Sequence, residues 1–405
     1  MINLEIPKKF VPLVGQAHQV AEEVFRPISR KYDQEEHAYP KELDMLAALI
    51  DGMNDGSDLG GGAGAAGVRR TDNGDGGVRN GSNMSTVLGI IELCWGDVGL
   101  LLSMPRQGLG NSAIASVAND EQLKRFEGKW AAMAITEPEA GSDSAAIRTT
   151  AVLDEETGEY VLNGEKIYVT SGERADLVVV WATLDRSVGR AAIKSFVVER
   201  SNPGLKLDRL EHKLGIRASD TAAFILDDCR VPPENLLGSP EVDARRGFAG
   251  VMQTFDNTRP LVAGMAVGLT RACLEETARL MSEAGVEVDW DRPAANQTAA
   301  AAEYLAMEAD YEAARLLTLE AAWMADNSKP NSLQASMAKA KAGRTCVDVA
   351  LRCVRLCGSL GYGEGLLLEK WARDAKILDL FEGTQQIQLL IIARQLLGKT
   401  SAELK

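Results

Sequence analysis

The chain of 405 residues has no surplus of basic side chains. It contains 44 Lys and Arg against 58 Asp and Glu, so its formal net charge at pH 7 is −14. A surface of this charge repels nucleic acids and anionic lipid headgroups. The composition therefore excludes a broad nucleic-acid-binding or membrane-surface function.

Long apolar runs are also missing. No stretch approaches the roughly 18 residues that a membrane-spanning helix needs. Residues 1–9 contain neither the apolar core nor the small-residue cleavage site of a secretion signal. We therefore expect a cytoplasmic protein with no membrane span.

Cysteine and histidine are scarce. The cysteines are few and scattered, which excludes a dense disulfide framework. Cys346, Cys353 and Cys357 are spaced so that they would share one helix face, but a metal site needs converging ligands. The only histidines are His18, His37 and His212. We interpret the cysteines as buried small side chains and predict no metal site.

Glycine, in contrast, is concentrated between Gly52 and Gly81. A stretch of this composition buries too little apolar surface to offset its ordering entropy, so we predict a mobile loop. It contains a formal match to the dinucleotide fingerprint at Gly62, Gly64 and Gly67. That fingerprint requires a strand before it and a helix after it, and the flanking residues favour neither. We interpret the match as accidental.

The periodicity of apolar residues divides the chain into three parts. Residues 1–128 are mostly helical in pattern, with apolar residues at three- and four-residue steps through 14–31. Residues 129–238 are strand-like, and residues 239–405 return to long helical patterns. The fold class predicted from this order is α+β with segregated elements, ending in an antiparallel helical bundle.

Individual elements follow from local patterns. Asn163-Gly164 lies between two strand-like runs within 160–170 and predicts a β-hairpin. The other predicted strands are 177–181, 195–198 and 222–226, which are rich in β-branched and aromatic residues. The predicted helices of the last part are 260–283, 299–327, 333–360 and 387–397.

Two segments have the residue types of a functional site. Residues 133–143 form a strand that enters a turn of small and hydroxyl residues, where a ligand could approach the backbone, although an ordinary capping turn has the same composition. Glu382 ends an apolar helical stretch and is followed by Gly383. Desolvation there would raise its pKa into the range of a general base, whereas a solvated helix-terminal glutamate is the alternative.

Taken together, these segments resemble the acyl-CoA dehydrogenase family along most of the chain. The matching motifs are 136–143, the strand end 168–170, 213–221, 255–259, 373–376 and 382–388. The resemblance implies an N-terminal helical domain, a middle β-barrel-like domain and a C-terminal four-helix bundle.

The resemblance also implies a flavoenzyme. With FAD as cofactor, it would introduce an α,β double bond into an acyl-CoA thioester and pass electrons to an electron-transfer flavoprotein. Glu382 matches the base that removes the α-proton, and its backbone N–H would help to hold the thioester oxygen. Some members carry the base at the position matched here by Thr258, which cannot serve that role.

Other site residues are implied by the same motifs. Thr136 would bond the flavin edge, Thr170 would bond near flavin N5, and Tyr168 stands where tryptophan is usual and would pack on the ring. The cofactor set is Met133, Ile135, Thr136, Gly141, Ser142, Tyr168, Thr170, Arg355, Gly358, Thr384 and Gln386. The substrate set is Ser142, Asp256, Arg259, Phe381 and Gly383, and residues 100–110 would line the far end of the acyl pocket.

One family motif is missing. Members normally carry Arg-x-x-Phe-Gly about thirty residues after the motif at 255–259, and that arginine reaches the flavin pyrophosphate of a neighbouring subunit. Here the stretch 284–289 has no basic residue and contains Glu287 and Asp289. Arg355 stands where glutamine is common and could compensate. We expect either an α2β2 assembly with a related subunit that supplies the arginine or a homotetramer with a rearranged interface.

Three alternatives to this function remain open at the sequence level. An acyl-CoA oxidase or a flavin monooxygenase would use the same fold, although the monooxygenase branch usually lacks the base. A non-catalytic subunit of a hetero-oligomer would be expected to lose Glu382 or the turn at 136–142, and both are present. The length and branching of the acyl group cannot be read from the sequence.

Overall fold

The computed structural model describes residues 5–47, 81–105, 109–242, 249–400 and 403, with the side chains of 249–257 left out. The predicted mobile loop therefore lies outside the described residues except for Gly81. Part of the predicted acyl-pocket segment, residues 106–108, lies outside them as well.

The N-terminal part is helical, as the periodicity predicts. A π-helical turn at Ala21–Phe25 interrupts the predicted helix over residues 14–31, so it separates two helices, α1 (Val11–Val20) and α2 (Arg26–Gln34). Two other helices of this part have side-chain caps at their N-termini. The Asp97 side chain accepts a hydrogen bond from Leu100 N, and Asn119 forms a capping box with Gln122. The helices are α1 (Val11–Val20), α2 (Arg26–Gln34), a helical segment at 42–47, α3 (Ser82–Gly96), α4 (Val98–Ser103), α5 (Leu109–Val117) and α6 (Asp120–Arg125).

The strands of the middle part form one sheet with the order β6-β7-β3-β2-β4-β5-β8, and β1 pairs with β4 in parallel. The β2–β3, β3–β7, β4–β5, β5–β8 and β6–β7 pairs are antiparallel. The strands are β1 (Ala131–Ala134), β2 (Thr150–Leu153), β3 (Tyr160–Thr170), β4 (Leu177–Thr183), β5 (Ile193–Glu199), β6 (Leu205–Leu210), β7 (Thr221–Val231) and β8 (Leu236–Leu237).

Strand β4 is buried along its whole length because both faces of the sheet are covered there. Val178 and Val180 belong to the core on one face of the sheet. Val179 and Trp181 belong to the core on the other face, which is closed by Ile114 of α5 and other residues of the helices before the sheet. The apolar run in this strand is therefore the signature of two-sided burial.

The predicted hairpin at Asn163-Gly164 is wrong. Residues 160–170 form the single strand β3, and the register to β7 shifts between Leu162 and Gly164, as in a β-bulge. The Asn163 side chain bonds Asp228 across the sheet, with Asp228 N donating to Asn163 Oδ1 at 2.8 Å. Gly164 has φ 157°, and a Cβ there would lie 2.4 Å from Thr149 Oγ1. Close backbone approach inside the sheet, rather than chain reversal, explains the Asn-Gly pair.

The C-terminal part is the predicted helical bundle. The helices predicted at 299–327, 333–360 and 387–397 start and end within two residues of those bounds. The helix predicted at 260–283 begins earlier, at Ala249, and the helix Leu368–Leu378 was not among those predicted. The helices are α7 (Ala249–Glu283), α8 (Ala299–Asp326), α9 (Ser332–Tyr362), α10 (Leu368–Leu378) and α11 (Gln385–Leu397). All six cysteines are free, and Cys346 and Cys353 are fully buried in α9, as interpreted from the sequence. One hydrophobic core runs through this bundle and the N-terminal helices, joining Val87 of α3 to Val267 of α7 and Trp371 of α10. The domain bounds stay a prediction.

A buried lysine joins the three parts of the chain. Lys370 of α10 forms ion pairs with Asp97, before α4, and with Asp374 at 2.7 Å, and all three side chains are almost completely buried. Asp374 also accepts a hydrogen bond of 2.5 Å from Ile216 N in the β6–β7 connection. Burial alone would lower the pKa of Lys370, but the two carboxylates outweigh burial and raise it, so the ammonium stays charged.

Among the described residues, none of the helices combines the length and the apolar composition needed to cross a bilayer. The cytoplasmic location stays a prediction.

Replacing Lys370 with methionine should destabilise the whole fold. The variant leaves Asp97 and Asp374 buried without their cation, and breaking a buried ion pair on one side costs about 3–5 kcal/mol. Urea unfolding should report this loss in the free energy of unfolding. Lys206→Met is the matched control, because Lys206 pairs with Asp227 on the surface, and its unfolding midpoint should stay unchanged. Equal midpoints for the two variants would contradict the assigned role.

Candidate active site

Glu382 lies in the short link between α10 and α11, in a backbone conformation that few residues adopt. Its φ is 55°, and the next residue, Gly383, has φ 94°. A left-handed conformation at a non-glycine residue costs free energy and persists only when the surroundings hold it. Thr384 then starts α11 as its N-cap, with Ile387 N donating to Thr384 Oγ1 at 3.4 Å.

Two buried side chains hold this link in place. Lys339 of α9 donates from Nζ to the carbonyl oxygen of Gly383 at 2.7 Å. Gln388 of α11 donates from Nε2 to the carbonyl oxygens of Glu382 and Gly383, at 3.1 and 3.2 Å. Gly383 has φ 94°, which residues with a side chain rarely adopt, and a Cβ there would also displace Gln388 Nε2, 2.4 Å away, from its hydrogen bonds, so the link favours glycine.

The Glu382 carboxylate has a defined polar partner. Thr258 of α7 donates from Oγ1 to Glu382 Oε2 at 2.8 Å, and the adjacent Arg259 is buried. Burial raises the pKa of Glu382, while the Thr258 hydroxyl and the positive charges of Arg259 and Lys339 act against that rise. The net pKa is above the usual range of a glutamate, which is the property of a general base.

Lys339 is a site residue that our sequence analysis missed. It is fully buried, and burial lowers its pKa to about 8, although the Asp379 and Glu382 carboxylates oppose the shift. The signal was present in the sequence. Lys339 lies at helical spacing from Ala335, Ala342 and Cys346 on the buried stripe of α9, and a charge on such a stripe needs a specific partner.

The turn after β1 is fixed by a second buried ion pair that the sequence analysis also missed. Glu137 accepts hydrogen bonds from Lys166 Nζ at 2.7 Å and from Thr149 Oγ1 at 2.6 Å, and Lys166 is fully buried. Lys166 also donates to the Ile135 carbonyl at 3.0 Å. Glu137 therefore shapes the turn from inside, while Gly141 and Ser142 remain exposed.

Tyr168 and Thr170 lie beside this turn, as the motifs predict. Ile167 N donates to Thr136 O at 2.9 Å, which sets Thr136 against β3. Tyr168 is at an irregularity of the strand with φ 58°, and 62% of its surface is exposed. The first cofactor motif and the strand end are thus brought together, with an aromatic ring facing open space.

The β6–β7 connection joins this region to the Glu382 region. Thr170 pairs with Thr221 in the sheet, and Ser171 N donates to Asp220 O at 3.0 Å. A few residues earlier in the same connection, Ile216 contacts Asp374 of α10, the helix that leads to Glu382. The two predicted cofactor segments are therefore tied to one connection, one near its middle at Ile216 and the other at its end at Asp220 and Thr221.

Arg355 and Gly358 lie apart from this group. With a rise of 1.5 Å per residue, Arg355 is about 24 Å further along α9 than Lys339. Its guanidinium pairs with Glu303 of α8. Gly358 has φ 57° and interrupts the helical geometry near the end of α9. Within one chain, these two predicted cofactor residues do not join the Glu382 site.

The remaining predicted site residues differ in their exposure to solvent. Met133 and Ile135 lie at the end of β1, Ile135 buried and Met133 partly so, and Phe381 packs at the edge of the bundle core. Gln386 is exposed on the first turn of α11. The side chain of Asp256 lies outside the described residues.

Comparison with known proteins assigns the fold to one family. Residues 132–229 match the model "Acyl-CoA dehydrogenase, middle domain", and residues 245–397 match "Acyl-CoA dehydrogenase, C-terminal domain". Acryloyl-CoA reductase (NADH) of Anaerotignum propionicum is 31% identical over 395 residues, 95% of this chain and 93% of that protein. The chain belongs to the acyl-CoA dehydrogenase family.

Solved structures of similar shape cover nearly the whole chain. Butyryl-CoA dehydrogenase of Megasphaera elsdenii superposes with a TM-score of 0.81 at 28% identity, over 98% of this chain and 100% of that one. A chain from the structure of the electron transferring flavoprotein of Acidaminococcus fermentans gives a TM-score of 0.79 at 30% identity, again over 98% and 100%. The mixed helical and sheet fold with a C-terminal bundle is thereby confirmed.

Acyl-CoA dehydrogenases are FAD-binding flavoproteins, and the described residues fit a flavin. The exposed Tyr168 ring offers a stacking surface, and a Cβ at Gly141 would meet nothing nearer than Thr136 Cγ2 at 3.9 Å, so the turn is open. Gln385 Oε1, next to Thr384, is buried and has no hydrogen-bond partner among the described residues. Thr136, Tyr168 and Thr170 are the residues of this chain that would hold the ring.

Replacing Lys339 with methionine should move the acid limb of the pH–rate profile to higher pH. The variant removes a positive charge that favours ionised Glu382, so the pKa of Glu382 rises further and more alkaline solution is needed to ionise it. Steady-state rates across pH give the midpoint. Lys341→Met is the control, since Lys341 is two residues away and pairs with Asp310 at 2.5 Å near the surface. An unshifted midpoint in Lys339→Met would show that Lys339 does not tune Glu382.

Proposed function

We propose that this chain catalyses the α,β-dehydrogenation of an acyl-CoA thioester, with Glu382 as the base. The observation that supports it most is the setting of Glu382. Its carboxylate has a raised pKa and accepts a hydrogen bond from Thr258. The link that carries it has positive φ and is held by the hydrogen bond from Lys339 to the Gly383 carbonyl. Bound FAD would accept the hydride from the β-carbon. The α-proton is weakly acidic, so the Glu382 carboxylate has to be basic enough to remove it.

The geometry around Glu382 fits that task. Thr258 donates to Oε2, so the α-proton would be taken by Oε1. A pKa above the usual range makes the carboxylate a stronger base, whereas the positive charges of Arg259 and Lys339 limit the rise of that pKa. The Glu382 backbone N–H would donate to the thioester oxygen, where negative charge develops as the proton leaves.

Electrons would then pass to an electron-transfer flavoprotein. A chain from the structure of such a flavoprotein is among the similar folds, which supports this acceptor. One relative is named acryloyl-CoA reductase (NADH). That name describes the reverse reaction, in which the α,β double bond of an acyl-CoA is reduced. An oxidase would instead consume oxygen during turnover, so oxygen uptake measured beside dye reduction separates the two acceptors.

We propose further that a related second subunit completes the cofactor site. The loop that stands in place of the family's Arg-x-x-Phe-Gly motif exposes Glu287 and Asp289, which would repel a pyrophosphate. Arg355 is about 24 Å along α9 from the Glu382 site. The last helix also exposes a leucine-rich surface of the kind that a partner covers. Its members are Leu389, Leu390, Leu396 and Leu397, each more than half exposed.

Glu382→Gln should abolish turnover and leave FAD bound. Glutamine keeps the shape of the side chain but cannot accept the α-proton, and loss of a general base lowers kcat by about 10²- to 10⁴-fold. Dye-coupled turnover and the flavin absorbance measure the two properties. Glu364→Gln, at an exposed glutamate, is the control and should keep full activity. Retained turnover in Glu382→Gln would refute the base, and loss of FAD with it would indicate a structural role.

The chain purified alone should contain less than one FAD per chain and gain both FAD and activity when it is produced with its related subunit. The missing arginine would otherwise leave the pyrophosphate without its partner. Flavin content per chain and the mass of the assembly by light scattering measure this. A homotetramer that is fully loaded and active on its own would overturn the two-subunit proposal without affecting the role of Glu382.

A further inference from the structure

Two of the chain's three histidines meet at the contact between the N-terminal helices and the middle sheet. His37 lies with Glu36 in the loop after α2, and His212 follows β6. The ligand atoms of these three side chains all lie within 4.8 Å of one another. The sequence predicts no metal site, because residues distant along the chain give no sign that their side chains converge.

The carboxylate is already oriented toward the histidines. Glu36 Oε2 lies 2.9 Å from His212 Nδ1, and Glu36 Oε1 accepts a hydrogen bond of 2.9 Å from Lys213 N. The two imidazole rings have centroids 5.0 Å apart, with planes inclined by 59°. The rings therefore do not stack, and their edges can turn toward a common point.

His37 provides a second, independent observation. Both of its ring nitrogens are buried, and neither has a hydrogen-bond partner among the described residues. Buried polar atoms without partners are costly and infrequent in folded proteins. His37 also has φ 70°, a left-handed conformation that the surroundings must maintain.

The neighbouring positive charges are turned to other acceptors. Lys213 Nζ donates to the Ser219 carbonyl at 2.8 Å. Arg174 pairs with the buried Asp220 at 3.1 Å. The side chain of His212 is 83% exposed, so an ion can enter from solvent.

We propose that Glu36, His37 and His212 bind one divalent transition-metal cation, with zinc as the representative ion. Two imidazoles and a carboxylate suit zinc better than magnesium or calcium, which prefer oxygen ligands. In tetrahedral zinc sites neighbouring ligand atoms lie about 3.3 Å apart, so the side chains must close by about 1.5 Å at most. Water would fill the remaining position.

The ion would tie two parts of the fold together. His212 lies near the start of the β6–β7 connection, which contacts Asp374 through Ile216 and joins β7 at Thr221. Glu36 and His37 follow α2, whose Asp33 pairs with Arg373 of α10 at 2.6 Å. A bound cation would therefore strengthen the junction beside the active site without touching the cofactor or the substrate.

The test is equilibrium dialysis of untagged, FAD-loaded protein against Zn²⁺ alone, with Mg²⁺ as the comparison ion and metal content measured per chain. We expect one zinc per chain, a higher thermal midpoint with zinc, and no such effect of magnesium. His212→Gln and His37→Gln should each weaken zinc binding at least about 100-fold. This loss exceeds the one expected when a residue that only contacts a metal ligand is replaced. His18→Gln, the third histidine, is the matched control and should bind zinc like the wild type.

X-ray absorption at the zinc edge gives a readout that does not depend on variant stability, and it should show scattering from two imidazoles. Zinc binding that is unchanged in both His37→Gln and His212→Gln, or a zinc spectrum with oxygen ligands only, would overturn the proposal. So would the absence of stoichiometric binding to the wild type.

Discussion

The buried charge of Lys370 is the constraint on which the arrangement of the molecule depends. Its ammonium lies between Asp97 of the N-terminal part and Asp374 of its own helix, and Asp374 in turn holds Ile216 of the middle part. Desolvated charges are tolerated only with their partners, so these three parts of the chain can pack in only a narrow range of positions. The described site residues come from the middle and C-terminal parts, and this junction helps to fix the placement of those two parts relative to each other.

Glu382 shows how the fold turns such constraints into chemistry. Helix α10, which carries Lys370, ends at the link where Glu382 and Gly383 both adopt positive φ. The link is held by hydrogen bonds from buried side chains rather than by regular secondary structure. The same contacts therefore fix the position of the carboxylate and remove it from water. Burial raises its pKa, and the nearby cations limit the rise. Position and basicity therefore share one physical cause.

Much of this was predictable from the sequence, and the exceptions have physical reasons. Long helices follow from periodicity, and strand β4 follows from its β-branched and aromatic residues. Glu382 was marked by its place at the end of an apolar helical stretch, and the family resemblance gave it the role of base. The Asn163-Gly164 pair predicted a hairpin because turn propensity depends only on the local sequence and contains no information about neighbouring strands. In the structure the pair lies at a β-bulge within a single strand. Lys339 and the His37–His212 pair were missed because their partners are distant in sequence, and only the fold brings them together.

The central claim is that Glu382 removes the α-proton, and hydrogen exchange at the α-carbon tests it most directly. The ligand would be an acyl-CoA thioester with sulfur in place of the β-carbon, which can lose its α-proton but not a hydride. In deuterated solvent the FAD-loaded wild type should exchange this proton, with an apparent pKa above that of an ordinary glutamate, and Glu382→Gln should exchange it no faster than free solution. Equal exchange by the two proteins would contradict the account.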